Sequence, residues 1–423
     1  MSDTPAKQFQ FPEGLITAPL QEIFKALENN CRLVGGPVRD AILGDVATDI
    51  DICTPYLPEE TTSKLKAAGF GVVPTGLEHG TVTAVHADSD FKAEITTLRK
   101  DVSTDGRRAT VEFSESYKDD AMRRDLTFNA LSADLEGNIW DYTDGLADLE
   151  AGKVRFIGDA KERLKEDWLR ALRFIRFYAR FAREEVDTET TSALTFAANS
   201  MDKLSRERKT EEMFKLLMLD TWEDGLTLLE DTGLAKALDL PFGIESHNRL
   251  NWYLSFCPDA PAEERFFALT FDLPNVILEN EHFNLSNNFK KLVGTCPRSE
   301  IDFFRISESE ILTALIGKDI VKKWLALRFG AWETTGEQST FIEDFIAGMD
   351  DLHIPEFPLT GHDMIENGLT GPEIGLRLAQ VKSWWAVEKY PSKDACLERL
   401  KHLLSHNHEH HDCASGTCDH NHD

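Results

Sequence analysis

Hydrophobic and polar positions follow two different patterns along this chain. Up to about residue 155, short β-branched or aromatic runs such as CRLVGG, GTVTAVHA and FKAEITTL alternate with turn signals, and helical stretches such as PVRDAILG lie between them. This alternation is typical of a mixed sheet with flanking helices. From about Lys161 onward the strand-like runs end, and apolar residues recur at helical spacing, as in KERLKEDWLRALRFIRFYARF. The sequence therefore predicts an α+β fold in which a small mixed sheet is followed by an all-α C-terminal region.

These changes of pattern divide the chain into five predicted segments. An N-terminal extension over residues 1–28 precedes the mixed-sheet domain over 29–155. Helical segments broken by Gly, Pro and Asn follow over 156–250 and 251–400. The last segment, 401–423, is rich in His and Cys, and we expect it to be a disordered tail.

The charge balance limits the partners that the chain could bind. Its 423 residues include 46 Lys and Arg against 74 Asp and Glu, a formal net charge of -28. Because Lys and Arg drive phosphate binding, so acidic a chain needs a local basic surface to bind nucleic acid. Ten basic and four acidic residues between Lys153 and Arg183 supply such an excess. Arg170, Arg173 and Arg176 recur there at three-residue spacing, so we expect local, salt-sensitive binding of RNA or triphosphate.

Cysteine usage and the terminal sequence bear on location. The seven cysteines are scattered and odd in number, which fits a reducing compartment without a disulfide framework. The N-terminus has no apolar run behind positive charge, and no segment approaches the roughly 20 apolar residues of a membrane span. We therefore expect a soluble, cytoplasmic protein with no membrane partner. The sequence indicates no obligate protein partner.

The stretch LVGGPVRDAILGDVATDIDICT, residues 33–54, contains the first candidate site. A buried-looking strand ends at a glycine pair, and Pro37 suits the first turn of the helix that follows. Glycines before a helix let backbone N–H groups approach an anion, which the helix dipole also favours. Arg39, in the first turn, could add a charged fork for phosphate. The order of these features predicts a phosphate cradle.

Two aspartates follow in the predicted strand TDIDI. Residues two apart on a strand face the same side, so we expect Asp49 and Asp51 on one face and Ile50 and Ile52 toward the core. Two carboxylates this close repel each other unless a cation lies between them, and Mg²⁺ takes one or two carboxylates together with substrate phosphate. Glu94 in FKAEITTL is either a third carboxylate or an ordinary surface residue. A bare D-x-D is common on surfaces, but behind a phosphate cradle it predicts metal-assisted phosphoryl or nucleotidyl transfer.

These residues resemble the nucleotide-adding site of the polymerase-β superfamily, and more narrowly the class II tRNA CCA-adding enzymes and their poly(A) polymerase relatives. The resemblance covers about residues 30–185 without a break, and GLTGPEIGLRL looks like the family's C-terminal part. Besides GGPVRD and DID, five motifs carry it in order: HGTVTAV, AEITTLRKDVSTDGRRATVEF, DDAMRRDLTFNALS, DYTDGLADLEAGKVRFIG and EDWLRALRFIRFYARF. It implies a polymerase-β-like nucleotidyltransferase head that adds C, C and A to the 3' end of tRNA from CTP and ATP. The implied mechanism is two-metal transfer with release of pyrophosphate.

The resemblance also implies roles for individual residues. Asp49 and Asp51 would bind the catalytic Mg²⁺ ions, and Glu94 would activate the attacking 3'-hydroxyl or complete the metal site. Asp105 to Arg108 would lie in a loop that the family uses in the switch from one base to another. Gly36 and Arg39 would contact the triphosphate, and Arg124 would bind the incoming nucleotide. The three-residue spacing, independently of the resemblance, adds Arg173 and Arg176 as contacts for triphosphate or RNA phosphates.

Base choice can be argued from hydrogen bonding. Asp167 and Arg170 in EDWLRALRFIRF lie three apart, which makes them neighbours on a helix. A carboxylate accepts from the exocyclic amino group of cytosine or adenine and repels the carbonyl oxygen of uracil or guanine. Arginine can donate to the adjacent ring nitrogen. This pair could therefore select C and A without a template, as family members are understood to do, although D-x-x-R alone is usually a simple ion pair.

Other functions stay open at this stage. Poly(A) polymerases of the family tend to carry an R-R-F-R-type stretch where this chain reads ITTLRKDVSTDGRRATVEF, which favours CCA addition. Enzymes that add only CC or only A differ in loops and are not distinguished. A D-x-D glycosyltransferase would not explain Asp167 and Arg170 or the RRD motif. A non-catalytic RNA-binding relative would not need all three carboxylates.

Two further features have simpler explanations. His362 and Asp363 could be the ligand pair of a phosphohydrolase domain, but a lone HD at a helix start is more typical of a helix cap. The tail contains His406, His408, His410, His411, His420 and His422 together with Cys413 and Cys418, which could bind Zn²⁺ or Ni²⁺. Its cysteine spacing is looser than that of a structural zinc site, so adventitious binding is an equal alternative.

Overall fold

A computed structural model describes residues 4–104, 109–240, 243–271, 281–287, 289–290, 293, 313–314, 317–329, 344 and 346–405. The chain divides into two compact units, which are described separately. The first consists of residues 1–243, 261–266 and 272–290, and the second of residues 244–260, 267–271 and 291–423. The finer subdivision at residues 28, 155, 250 and 400 stays a prediction.

Strands are confined to the N-terminal part of the described chain, and helices follow. The described strands are β1 (Lys7–Gln8), β2 (Arg32–Val34), β3 (Ile50–Thr54), β4 (Gly71–Gly76), β5 (Thr81–Val85), β6 (Lys92–Thr97), β7 (Arg99–Thr104), β8 (Ala109–Phe113), β9 (Ser132–Ala133) and β10 (Asn138–Trp140). The described helices of the first half are α1 (Ala18–Ala26), α2 (Gly36–Ile42), α3 (Pro58–Ala67), α4 (Tyr117–Met122), α5 (Gly145–Ala151), α6 (Ala160–Glu166), α7 (Leu169–Phe181), α8 (Thr188–Ala198) and α9 (Arg206–Leu217). Those that follow are α10 (Trp222–Asp231), α11 (Leu234–Ala237), α12 (Ile244–Phe256), α13 (Ala262–Thr270), α14 (Lys318–Phe329), α15 (Gly361–Glu366), α16 (Pro372–Val387) and α17 (Lys393–Ser405).

An eight-stranded mixed sheet forms the framework of the first unit. Its strand order is β1-β10-β9-β2-β3-β6-β5-β4; β3 and β6 run parallel, and the other neighbours run antiparallel. Strands β7 and β8 form a separate hairpin. The sequence pattern did not predict β1 or β4. These are the two edge strands, and their residues are mostly exposed, so they carry no apolar alternation to detect.

The strand that carries Asp51 is shorter than TDIDI predicts. Strand β3 begins at Ile50, and Thr48 and Asp49 lie in a bend before it. Its ladder with β6 starts at the pair Ile50 and Ala93, so no strand partner extends the pairing to Asp49. Asp49 therefore lies just outside the strand, and its shared facing with Asp51 stays a prediction. The prediction that Ile50 and Ile52 point into the core is confirmed, since both are buried.

Helix α7 packs through a wide apolar face. Its buried residues are Leu169, Ala171, Leu172, Phe174, Ile175, Phe177 and Ala179. Phe174 stacks on Phe156 with ring centroids 4.9 Å apart, and Phe177 meets Phe128 edge to face at 5.7 Å. Each fully buried phenylalanine contributes about 1.5–3 kcal/mol of transfer free energy, so this face holds the basic side of α7 in a fixed position.

A break in the chain separates α6 from α7. Helix α6 ends at Glu166, and Asp167 is extended, with φ -155° and ψ 108°. The Asp167 side chain accepts a hydrogen bond from the backbone N–H of Leu169, at 3.1 Å. Local bonding of this kind competes with helix formation, which explains why a continuous helical pattern is interrupted here. The prediction that Asp167 and Arg170 are neighbours on one helix is therefore wrong.

The described C-terminal helices of the second unit share an apolar core. Its buried residues include Met364, Val381, Trp385, Cys396 and Leu400. The carboxylate of Asp363 accepts from the backbone N–H (2.7 Å) and the hydroxyl (2.8 Å) of Thr360, and it pairs with Lys393. His362 is largely exposed and lies 3.3 Å from Glu366. The prediction that the HD pair is a helix cap is confirmed.

The predicted fold class is confirmed. A mixed sheet forms the N-terminal domain, and every element described after Trp140 is helical. Among the helices of the described segments, none combines the length and the apolar character that a membrane crossing requires.

Candidate active site

A glycine turn joins the buried strand β2 to helix α2. Gly35 has φ 71° and ψ -119°, a conformation that only glycine adopts readily. A Cβ atom on Gly35 would lie 3.3 Å from the carbonyl oxygen of Asn129 and 3.6 Å from Nη1 of Arg124. The guanidinium of Arg124 therefore lies close over the turn. Gly36, the predicted phosphate contact, has more room, since its Cβ would meet Nη2 of Arg39 at 3.9 Å. The turn therefore requires a glycine at Gly35 more than at Gly36, and the sequence GG does not show which of the two is required.

Two carboxylates of the predicted acidic set are brought side by side by strand pairing. Asp51 of β3 is in register with Glu94 of β6 across the parallel ladder. Asp51 is half-buried, and Glu94 is exposed on the face opposite the buried Ala93 and Ile95. Asp49 is exposed in the bend before β3. Among the described residues, no group of three or more His, Cys, Asp or Glu side chains is arranged to hold a metal ion by itself.

The pKa of Asp51 reflects both its burial and the negative charges near it. Burial raises the pKa of Asp51 to about 6. Arg124 opposes the increase, Glu94 and Asp49 add to it, and Arg173 opposes it more weakly. Since like charges raise a carboxyl pKa only over short distances, all three carboxylates act on one region. One half-buried and two exposed carboxylates with excess negative charge fit a hard divalent cation completed by substrate oxygens.

Arg124 is held by a residue that the sequence interpretation did not include. Asp120 is 2% exposed and accepts from Nε (3.2 Å) and Nη2 (3.0 Å) of Arg124. Its other oxygen lies 2.6 Å from Nη2 of Arg123. Burial alone would raise the pKa of Asp120, but Arg124 and Arg123 bring it below its usual range. Asp120 therefore stays ionised and fixes both arginines of the RRD motif.

Arg39 is less available to phosphate than its place in the first turn suggested. It is 6% exposed, and its Nε and Nη2 donate to the two oxygens of Asp40. Its Nη1 donates to the side-chain oxygen of Asn129, at 2.7 Å. Burial lowers the pKa of Arg39, and Asp40 opposes this effect. The contacts favour a role in bracing the glycine turn from beneath, while a triphosphate contact stays a prediction.

A second, partly buried ion pair links α7 to the RRD motif. Nε of Arg173 donates to Asp125 at 2.6 Å, and Asp125 also accepts from the side chain of Asn129 at 3.1 Å. Although burial would raise the pKa of Asp125, the charge and hydrogen bond of Arg173 bring it far below its usual range. Nε of Arg176 donates to Glu212 of α9 at 2.7 Å. The predicted arginine row thus also serves internal ion pairs.

The two predicted base readers have separate partners. Asp167 accepts from Nη2 of Arg208 in α9 at 2.6 Å. Nη1 of Arg170 donates to Glu166, and its Nη2 donates to the carbonyl oxygen of Arg123 at 3.0 Å. Arg170 is therefore tied to the RRD motif, and Asp167 is tied to α9. The i,i+4 spacing of Glu166 and Arg170 could have signalled their pairing, whereas Arg208, 41 residues from Asp167, carries no such signal.

Two sets of predicted residues cannot be placed. The loop Asp105 to Arg108 and the tail from residue 406 onward, with its candidate metal ligands, lie outside the described residues.

Comparison with known proteins gives the same picture along nearly the whole chain. The family models "Poly A polymerase head domain" and "Probable RNA and SrmB- binding site of polymerase A" match residues 31–155 and 185–241. The chain is 33% identical over 420 residues to "CCA tRNA nucleotidyltransferase 1, mitochondrial" of Mus musculus, covering 94% of this chain and 92% of the relative. It is 39% identical over 391 residues to the "CCA-adding enzyme" of Streptococcus suis, with coverages of 88% and 92%. The crystal structure of the Bacillus stearothermophilus CCA-adding enzyme in complex with CTP aligns with a TM-score of 0.70 at 25% identity, covering 93% of this chain and 100% of that chain.

The fold and the grouped acidic and basic side chains define the chain as a nucleotidyltransferase. Its relatives narrow this class, since they are named for CCA addition and match the chain over most of their length. The chain belongs to the family of CCA-adding tRNA nucleotidyltransferases.

Proposed function

We propose that this chain adds C, C and A in turn to the 3' end of tRNA, taking CTP and ATP and releasing pyrophosphate. The single observation that carries the residue assignment is the pairing of Asp51 with Glu94 in register, close enough to Arg124 for its charge to lower the pKa of Asp51. The names of the relatives support tRNA as substrate, and a CTP complex of a structural neighbour supports the nucleotide.

Asp49 and Asp51 would hold the catalytic Mg²⁺ ions. The raised pKa of Asp51 supports this assignment, because its ionised form gains from a cation close by. Two carboxylates leave coordination positions for phosphate oxygens, as Mg²⁺ usually requires. When bound, the metal would supply Lewis-acid chemistry that lowers the pKa of the primer's 3'-hydroxyl and offsets charge on the α-phosphate. Glu94, exposed beside Asp51, would accept the hydroxyl proton or complete the site.

The triphosphate would lie over the glycine turn. Gly35 keeps the backbone open there, Gly36 would offer its N–H, and Arg124 would donate to phosphate oxygens. Asp120 orients that guanidinium in advance, which lowers the entropy lost on binding. Arg39 would act chiefly by holding Asn129 against the turn.

The base would be read by Asp167 and Arg170. Asp167 would accept from the exocyclic amino group, and Arg170 would donate to the neighbouring ring nitrogen, so that C and A fit while U and G do not. Arg173 and Arg176 would add positive charge along α7 for triphosphate or RNA phosphates, although both are partly used by Asp125 and Glu212.

The test is incorporation into a tRNA transcript that lacks its 3' CCA. Wild-type protein with CTP and ATP should add three nucleotides and stop, whereas a long adenosine tail would show a poly(A) polymerase, and a stop after CC a partial enzyme. Asp49→Ala should abolish incorporation of both nucleotides and leave tRNA binding intact. Asp90→Ala, which removes an equal charge from an exposed loop, is the control. Full CTP incorporation by Asp49→Ala would refute the metal assignment.

A further inference from the structure

Asp167 is held from two sides. Its Oδ2 accepts from Nη2 of Arg208 at 2.6 Å, and its Oδ1 accepts from the backbone N–H of Leu169 at 3.1 Å. Each carboxylate oxygen has two lone pairs, so each keeps one acceptor position after these bonds. The Asp167 side chain remains 32% exposed, so these acceptor positions are accessible to a ligand.

We propose that Arg208 is a specificity-determining positioning residue, which aims the carboxylate of Asp167 at the amino group of the incoming base. This inference rests on the proposed function, because it takes Asp167 as a base reader. Arg208 would not touch the reacting atoms. It would act only through the direction in which Asp167 presents its acceptors.

Arg208 is well placed for this task because its backbone is fixed. It lies in the first turn of α9, where the side chain of Ser205 caps the helix and accepts from the N–H of Arg208 at 3.4 Å. The same helix is anchored by the buried residues Met213, Leu216 and Leu217. A short ion pair from a rigid element holds a side chain more precisely than one from a loop.

Arg208 also keeps the two readers from neutralising each other. Asp167 and Arg170 lie close in sequence, yet in the described chain Asp167 pairs with Arg208 and Arg170 pairs with Glu166. Without Arg208, Asp167 would be free to turn toward the guanidinium of Arg170. Such a pair would occupy the acceptor and the donor that the base requires. Discrimination between amino and carbonyl edges would then fall, since both reading groups would lose their direction.

The experiment compares kcat/KM for CTP with kcat/KM for UTP on tRNA lacking its 3' CCA. Correct pairing of one base edge is worth about 1–3 kcal/mol, so Arg208→Ala should reduce the CTP-to-UTP ratio about tenfold. Arg208→Lys keeps one charged donor and should stay closer to wild type than Arg208→Ala. The control is Lys215→Ala, which removes an equal charge and a comparable 2.6 Å ion pair from the same helix. Its ratio should match that of wild type.

Because the Arg208 side chain is 47% exposed, its truncation leaves no buried charge and should not prevent folding. A wild-type ratio in Arg208→Ala, or an equal loss for CTP and UTP, would overturn the inference. Asp167→Ala separates this failure from that of the proposed function. If Asp167→Ala relaxes base choice and Arg208→Ala does not, only the role of Arg208 is wrong. If neither changes the ratio, Asp167 is not a base reader.

Discussion

Replacing Asp51 with Asn should stabilise the metal-free protein at neutral pH although it removes a proposed catalytic group. Burial, Glu94 and Asp49 together raise the pKa of Asp51 to about 6, against an ordinary value of 3.8, with Arg124 and Arg173 opposing. An acid with a raised pKa stabilises the fold below its unfolded pKa and loses that contribution as pH rises through its folded pKa. Asparagine keeps the shape and removes the charge.

The size of the effect follows from the shift. A difference of roughly two units between the folded and unfolded pKa of Asp51 lowers the free energy of unfolding of the wild type by about 3 kcal/mol at pH values well above both pKa values. The stability difference between Asp51→Asn and wild type should therefore grow from about pH 4 to pH 6 and level off above pH 7. For a domain of this size, such a difference raises the melting temperature by several degrees.

Urea denaturation in EDTA at closely spaced pH values would measure this difference. The control is Asp90→Asn, since removing any negative charge from a chain of formal net charge -28 relieves some general repulsion. Asp90 is exposed, so its variant should show a small difference with little dependence on pH. In excess Mg²⁺ the advantage of Asp51→Asn should shrink, because metal bound at the proposed site would stabilise the wild type more than the variant by mass action.

The reasoning fails if the stability difference is the same at pH 4 and pH 8. It also fails if Asp51→Asn is the less stable protein throughout, because the carboxylate would then be a net stabilising partner of Arg124 and not part of a crowded acidic group.

Three further outcomes are expected. Asp125→Ala should lower the free energy of unfolding by about 3 kcal/mol in urea at pH 7, the lower end for a broken buried pair, because Arg173 is 33% exposed. The stabilities of wild type and variant should converge as acid protonates Asp125, and a constant difference would contradict the pairing. Gly35→Ala should lower both the melting temperature and kcat/KM, because the added Cβ strains the backbone and contacts Asn129 and Arg124. The control is Gly44→Ala, where φ is also positive but no atom lies near the added Cβ, so only the melting temperature should fall. Removal of residues 406–423 should leave CCA incorporation unchanged. The tail would be functional if the metal-stripped full chain lost activity and recovered it with Zn²⁺, while the truncated protein did not recover.

Part of the site could be predicted from the sequence. Local order determines that a strand, a glycine turn and a short helix follow one another at Leu33 to Leu43, so this arrangement of elements was predictable. The spacing of Asp49 and Asp51 identified both residues but not the backbone of Asp49, since strand pairing begins only at Ile50. The extent of a strand depends on what its neighbours offer, and those neighbours are distant in sequence.

The sequence by itself determined the order of a mixed-sheet domain and a helical region, the identity of the acidic residues and the family. Only the tertiary structure decided which side chains meet. Strand pairing set Asp51 beside Glu94, and helix packing set Arg208 on Asp167 where spacing had suggested Arg170. The physical reason is that the strength of an ion pair depends on distance and burial in the folded chain. A periodic pattern in the sequence indicates only which face of an element each residue occupies.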